Sequence, residues 1–196
     1  LPTADGSNGN ALLTNGSGTL SWGSAGASTI GALTDVTMDA TNFTNGLLIQ
    51  TNSDGSAPTT GTLSSALANI GIGTDVFQAL TSGDYNVAIG NESMDALTTG
   101  HHNVAIGHAT CGNFDTESDN IGIGREAIGG AIAGGEKNIG IGSYAGDAIT
   151  SGDVNTLIGY NAGTAITTGT SNVVCGQECG TSVTTGGYSV YIGGSV

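Results

Sequence analysis

The chain has 196 residues, 36 of them Gly, with aromatic residues at 5% and charged residues at 9%. Sixteen acidic side chains against two basic ones, Arg125 and Lys137, give a formal charge of −14, so nothing here neutralises a phosphate backbone and nucleic-acid binding is excluded. So few charged and aromatic groups argue against an ordinary enzyme domain, and no apolar run approaches the roughly 18 residues of a membrane span.

Leu1-Pro2-Thr3 opens with neither a basic n-region nor an apolar h-region, so a soluble chain without a visible address is expected. Residues 1–61 carry a loose duplication, NGNALLTN at 8–15 answering NGLLIQTN at 45–52, each with a Gly three positions further on. A short apolar run bounded by Asn-Gly and Asn reads as a strand between tight turns, so this third is predicted to be a thin β module. Over residues 62–68, Leu63, Ala66, Leu67 and Ile70 follow the i, i+3, i+4, i+7 rule, which predicts a short capping helix.

From Asn69 onward the chain repeats. The phrase Asn-apolar-small-Ile-Gly starts at Asn69, Asn86, Asn103, Asn120, Asn138, Asn155 and Asn172, with a variant start at Ser189, at a spacing of 17 except for one unit of 18. The extra residue falls among 127–130. A fixed period of this size marks a solenoid of stacked coils, and it is too short for helical coils. Residues 69–196 thus read as seven full repeats and one partial one, stacked at about 4.8 Å into a rod of roughly 40 Å.

Apolar residues sit at the second and fourth positions of each unit (Val87 and Ile89, Ile139 and Ile141) with Gly or Ala between, which is strand alternation. The fifth position is Gly in all eight units, as a corner needing positive φ demands. A second short strand is expected at Ala96-Leu97-Thr98 and its equivalents, making a flattened two-strand roll. Stacking superposes like side chains, so the first-position Asn and the Thr-Thr pairs are expected to form ladders. Each coil then buries only about three large apolar side chains, while the third positions (Ala88, Ala105, Gly122, Gly140, then Leu157, Val174 and Tyr191) are expected to face outward and to be covered by neighbouring chains. The final unit stops partway, with no polar capping coil.

Motifs with chemical meaning are weighed against this repeat. Residues 122–127 and 140–145 match G-x-G-x-x-A, but a dinucleotide site needs a helix after the strand, and here another strand is due within a few residues. Cys175 replaces the fourth-position Ile and should be buried; Cys179 takes the Ala-type eighth position and Cys111 lies beside it. A Cys175–Cys179 bond across a corner is sterically open but not expected, and no base accompanies these thiols. His101, His102 and His108 fall within one coil without the alternation an axial metal wants, so they read as surface groups. Asp115, Glu117 and Asp119 stand on alternate positions and offer calcium ligands, although a solvated acidic corner is the plainer reading. Sequons at Asn15, Asn42 and Asn91 are what an Asn- and Thr-rich chain yields by chance. No catalytic, cofactor-binding or metal-binding residue is assigned, and no cofactor is expected.

The phrases NVAIG at 86–90 and 103–107 and NIGIG at 120–124 and 138–142 resemble the repeats of trimeric β-roll heads in YadA-type adhesins, whose unit is shorter. Residues 1–22, with Gly31-Ala32-Leu33-Thr34-Asp35-Val36, resemble shaft segments of bacteriophage tail fibres. Together these resemblances imply an all-β, extended homotrimeric fibre that acts as a stiff spacer and host-attachment element. They imply an extracellular, virion-borne, non-enzymatic chain whose partners are its own copies, other fibre or tail subunits and a host cell-surface receptor such as a glycan. A bacterial surface adhesin is the nearest alternative. An ice-binding solenoid is a second, disfavoured because Thr98-Thr99 and Thr167-Thr168 are adjacent and point oppositely. A hydrolytic tailspike would need paired carboxylates in an aromatic groove, which the scattered aromatics do not indicate.

Overall fold

The computed structural model describes residues 10–14, 20–24, 36–40, 43–51, 63–130 and 134–195, and within these the chain is all-β. Strands β1 (Asn10–Thr14) and β2 (Leu20–Ser24) form an antiparallel pair. Strands β3 (Val36–Ala40) and β4 (Phe43–Thr51) are also antiparallel, and β4 then pairs in parallel with β6 (Ile70–Thr74), Leu47 opposite Ile70. The sheet therefore crosses the boundary drawn at residue 61, and β4 is its first rung. The expected capping helix is absent among residues 63–68, where β5 (Ala66–Leu67) instead pairs with β4. Leu67 and Ile70 belong to two successive strand segments rather than one helical face.

The period of 17 is a parallel β-solenoid. Each coil gives the sheet one three-residue strand: β7 (Val87–Ile89), β8 (Val104–Ile106), β9 (Ile121–Ile123), β10 (Ile139–Ile141), β11 (Thr156–Ile158), β12 (Val173–Cys175) and β13 (Val190–Ile192). Neighbours pair in register, Val87 with Val104 and Ile141 with Ile158. Fifth-position Gly follows each strand from β7 to β13. Gly107 has φ 142°, and a Cβ there would sit 2.6 Å from the carbonyl oxygen of Gly124 in the next coil. That conformation and that approach admit only glycine.

The first-position Asn ladder is present and fully buried. The backbone N–H of Asn86 donates to Oδ1 of Asn69 at 2.9 Å, and Asn86 Nδ2 donates to the same oxygen at 3.1 Å and to the Gly100 carbonyl at 2.8 Å. The pattern recurs at Asn103, Asn155 and Asn172. Around the 18-residue coil, Asn120 Nδ2 turns to the carbonyls of Ser118 and Gly135. Buried amides so paired avoid the penalty of unsatisfied polar groups, which is how a polar residue can occupy the centre of a strand start.

Two expectations about orientation are overturned. The third positions point inward: Ala88, Ala105, Leu157 and Val174 have no exposed surface, while the second and fourth positions face out. The buried first-position Asn fixes this parity, because alternation from an inward Asn sends the second residue outward. The second strand is not formed as a strand either; residues 91–99 and their equivalents are turns. Intercoil bonds persist there without strand pairing, with Thr98 and Thr99 N–H donating to the Asp115 carbonyl at 2.8 and 3.2 Å and the Thr98 hydroxyl to the same oxygen at 3.1 Å. The Thr ladder is thus hydroxyl to carbonyl, seen again at Thr81, Thr150 and Thr167.

The core is filled differently along the rod. In coils starting at Asn69, Asn86, Asn103 and Asn120, the ninth position supplies Phe77, Met94, Cys111 and Ile128, all buried and all at positive φ between 47° and 56°. From Asn138 onward that position is Gly146, Gly163 and Gly180, and the volume comes from Leu157 and Val174 on the strands. Size alternates between facing positions: a Cβ on Gly140 would lie 2.6 Å from Ile128 Cγ1, and one on Gly146 would lie 2.5 Å from Leu157 Cδ1.

Candidate functional site

Inverted strand parity leaves an apolar face along the rod. Ile70, Ile72, Ile89, Ile106, Ile141 and Ile158 are each between 36% and 41% exposed, and Val190 and Ile192 on the last rung reach 67% and 72%. Their partners Val87, Val104, Ile121 and Ile139 are half-buried on the same face. Eight stacked rungs place these two columns side by side in one stripe, broken in the second-position column by Thr156. Cys175, expected in the core, is half-buried at its fourth position on this stripe; Cys111 and Cys179 are buried inside. All three thiols are free, and burial pushes the Cys111 thiol up.

Polar edges flank the stripe. The residue before each first-position Asn is left-handed, from Ala68 and Tyr85 to Val154 and Tyr188, with φ between 55° and 61°. At this edge Tyr85 stacks on His102 at 5.2 Å between centroids, and His102 Nδ1 lies 3.6 Å from Asp119. At the opposite edge, the sixth position carries His108, Arg125 and Tyr160. The Arg125 guanidinium sits 4.5 Å over the Tyr144 ring, which packs edge-on against Tyr160 at 6.3 Å.

The remaining candidates separate. His101 and His108 face Asp84 and Glu92 at 3.7 and 3.9 Å from exposed positions. Asp115, Glu117 and Asp119 do not converge: Asp115 and Asp119 are exposed, whereas Glu117 is buried and accepts the backbone N–H groups of Asp115, Thr116 and Gly134 at 2.6, 3.0 and 3.0 Å. Glu117 stands where other coils have their second Gly, and its carboxylate ties down the coil that carries the extra residue. Among the described residues no group of His, Cys, Asp or Glu is arranged to hold a metal ion. The G-x-G-x-x-A matches run from strand into turn, with no helix to meet a pyrophosphate.

One feature escaped the sequence reading. Glu92, Asp95 and Glu126 border a hollow of about 220 Å³ whose floor includes the small residues Ala109, Gly112 and Gly129. Burial, then Glu92, holds the Asp95 carboxyl above its ordinary value; burial, then Glu126, does the same for Asp147, whose Oδ1 has no hydrogen-bond partner. No aromatic residue lines the hollow. No helix among the described residues is long and apolar enough to cross a membrane. No family model matches the chain, and no curated protein or solved structure is significantly similar to it.

Proposed function

We propose that this chain is a non-enzymatic structural subunit of an extended fibre, one that assembles as a homotrimer through its Ile/Val stripe and serves as a stiff spacer and attachment element, as in a phage tail fibre. The observation that carries the reading is the stripe itself, eight rungs long and flanked by polar edges. Burial of one exposed Ile or Val is worth about 1 kcal/mol at partial exposure, so a dozen such residues per chain outweigh the freedom lost on association. The tail-fibre and adhesin-like repeat phrases add the threefold symmetry and the extracellular, virion-borne setting, and the acidic charge suits a long polymer that must not stick to its neighbours sideways.

Light scattering on the native chain tests the assembly. A trimer has three times the 19.0 kDa of the chain, about 57 kDa, and resists dilution. A folded, monodisperse 19.0 kDa species overturns the reading. Incubation with envelope glycans followed by mass analysis tests the non-enzymatic part, and intact glycan is the expected result.

A further inference from the structure

We propose that His101 is a pH-sensitive link, one that ties the Asn69 coil to the Asn86 coil while its imidazole is neutral and lets go when it is protonated. A second polar ladder runs two residues ahead of the buried Asn column, and in it each side chain accepts the backbone N–H of the equivalent residue one coil earlier. Leu67 N–H donates to Asp84 Oδ1 at 2.8 Å, Asp84 N–H to His101 Nδ1 at 3.1 Å, His101 N–H to Ser118 Oγ at 3.0 Å and Glu136 N–H to Asp153 Oδ1 at 2.9 Å. Carboxylates and a hydroxyl go on accepting in mild acid. Of these four acceptors only the imidazole loses its lone pair between pH 8 and pH 5.

A backbone N–H can only donate, so its approach to 3.1 Å fixes the imidazole with Nδ1 bare and the proton on Nε2. Protonating Nδ1 turns that acceptor into a donor and sets two N–H groups face to face. The charged and titratable groups around the ring are Asp84, whose Oδ2 is 3.7 Å from Nδ1, and His102, 6.3 Å away between centroids and itself facing Asp119 at 3.6 Å and stacked on Tyr85. Asp84 is thus the group placed to hold an imidazolium. Its side chain is 27% exposed and that of His101 45%, so solvent screens the pair, and Asp84 already accepts from Leu67. Turning Asp84 toward the imidazolium loosens the Leu67 link as well. Leu67 lies in β5, which pairs with β4, so acid weakens two of the links that join β4 and β5 to the coils.

Hydrogen exchange on the full chain, read at the Asp84 and Leu67 amides and corrected for intrinsic exchange rates, tests the link. Going from about pH 7.5 to about pH 5 should lower protection of the Asp84 amide in the parent by about fivefold, the loss of one ordinary hydrogen bond, with Leu67 moving in the same direction. His101→Asn offers an Oδ1 in place of Nδ1 that does not titrate, so it should keep the protection at both pH values. His101→Ala should lack it at both. The Asn variant retains every other titrating group of the parent, His102 and His108 included, and circular dichroism checks that each variant keeps its β-structure. Parallel changes in the parent and the Asn variant overturn the proposal, as does full protection in the Ala variant. So does a parent whose Asp84 amide gains protection in acid, because the imidazolium–Asp84 pair then outweighs the lost acceptor.

Discussion

The two halves of the solenoid solve one packing problem in opposite ways. Between Asn69 and Lys137 the coils carry bulk at the ninth position of the turn, in Phe77, Met94, Cys111 and Ile128; from Asn138 onward that position is Gly, Ile149 and Ile166 still fill from the turn, and Leu157 and Val174 add bulk from the strand. The backbone ignores the difference, since the ninth position is left-handed in both halves, at φ 47° for Ile128 and 65° for Gly163. A non-glycine residue there costs about 1–2 kcal/mol, and a β-branched one is hardest to accommodate. Stacking on neighbouring coils dictates the dihedrals, and the side chain is whatever then fills the interior. The glycine half avoids the strain but must place bulk where the other half has Ala or Gly.

The feature both halves share should give the largest effect. Gly107→Val and Gly159→Val place a Cβ 2.6 and 2.5 Å from the next coil's carbonyl oxygen at φ 142° and 136°, so both should cost roughly 3 kcal/mol or more. Soluble yield and β-type circular dichroism are the measurements, and a native melting curve for either would break the equivalence of the corners. Next come the fillers. Leu157→Ala should cost about 3 kcal/mol in denaturant titrations, and adding Gly163→Met should recover part of it by importing the N-terminal half's solution. A double variant less stable than Leu157→Ala alone would show that the halves are not interchangeable.

Smaller effects sharpen the same comparison through one acidic residue in each half. Asp95 and Asp147 have carboxyls raised above the ordinary 3.8, mainly by burial, so the fold favours their protonated forms. Their stabilising contribution is complete below 3.8 and is lost as pH rises through the raised values. Asp95→Asn and Asp147→Asn should therefore stabilise the chain at pH 7, each by under about 1 kcal/mol because solvent screens half-exposed groups, and by nothing near pH 3. Thermal melts at the two pH values measure this, and a gain that persists at pH 3 would deny the role of charge. The smallest effect is expected from Thr99→Val, at most about 0.5 kcal/mol, since Thr99 is only half-buried at the turn.

Much of the fold was legible because the repeat is strict. Asn at 17-residue spacing announced both the coil and its ladder, and invariant Gly at the fifth position announced the corner. The candidate site was read with the wrong hand: apolar Val87 and Ile89 were placed inside and Ala88 outside, when the reverse holds. Alternation gives parity only up to a flip, and hydrophobicity ordinarily settles which face is core. Here it misled, because the apolar columns serve an outer face while the interior takes Ala and Gly to make room for Met94 and Ile128. The signal that could have settled it was Asn itself, which forms a continuous amide ladder only if it is buried. The 62–68 segment misled for a related reason, since three of its four apolar residues at helical spacing, Ala66, Leu67 and Ile70, also fit two short strands split by the left-handed Ala68.

Period, strand position and corner glycine were thus set by the sequence, because stacking demands the same backbone from every coil and only certain residues permit it. The tertiary structure alone decided which face of the strand is inside, that the second predicted strand is a chain of turns, and that Glu117 holds the neighbouring 18-residue coil. Each of those depends on groups 16 to 18 residues apart meeting across coils, where hydrogen bonds such as Gly134 N–H to Glu117 and Asn86 N–H to Asn69 override local preference.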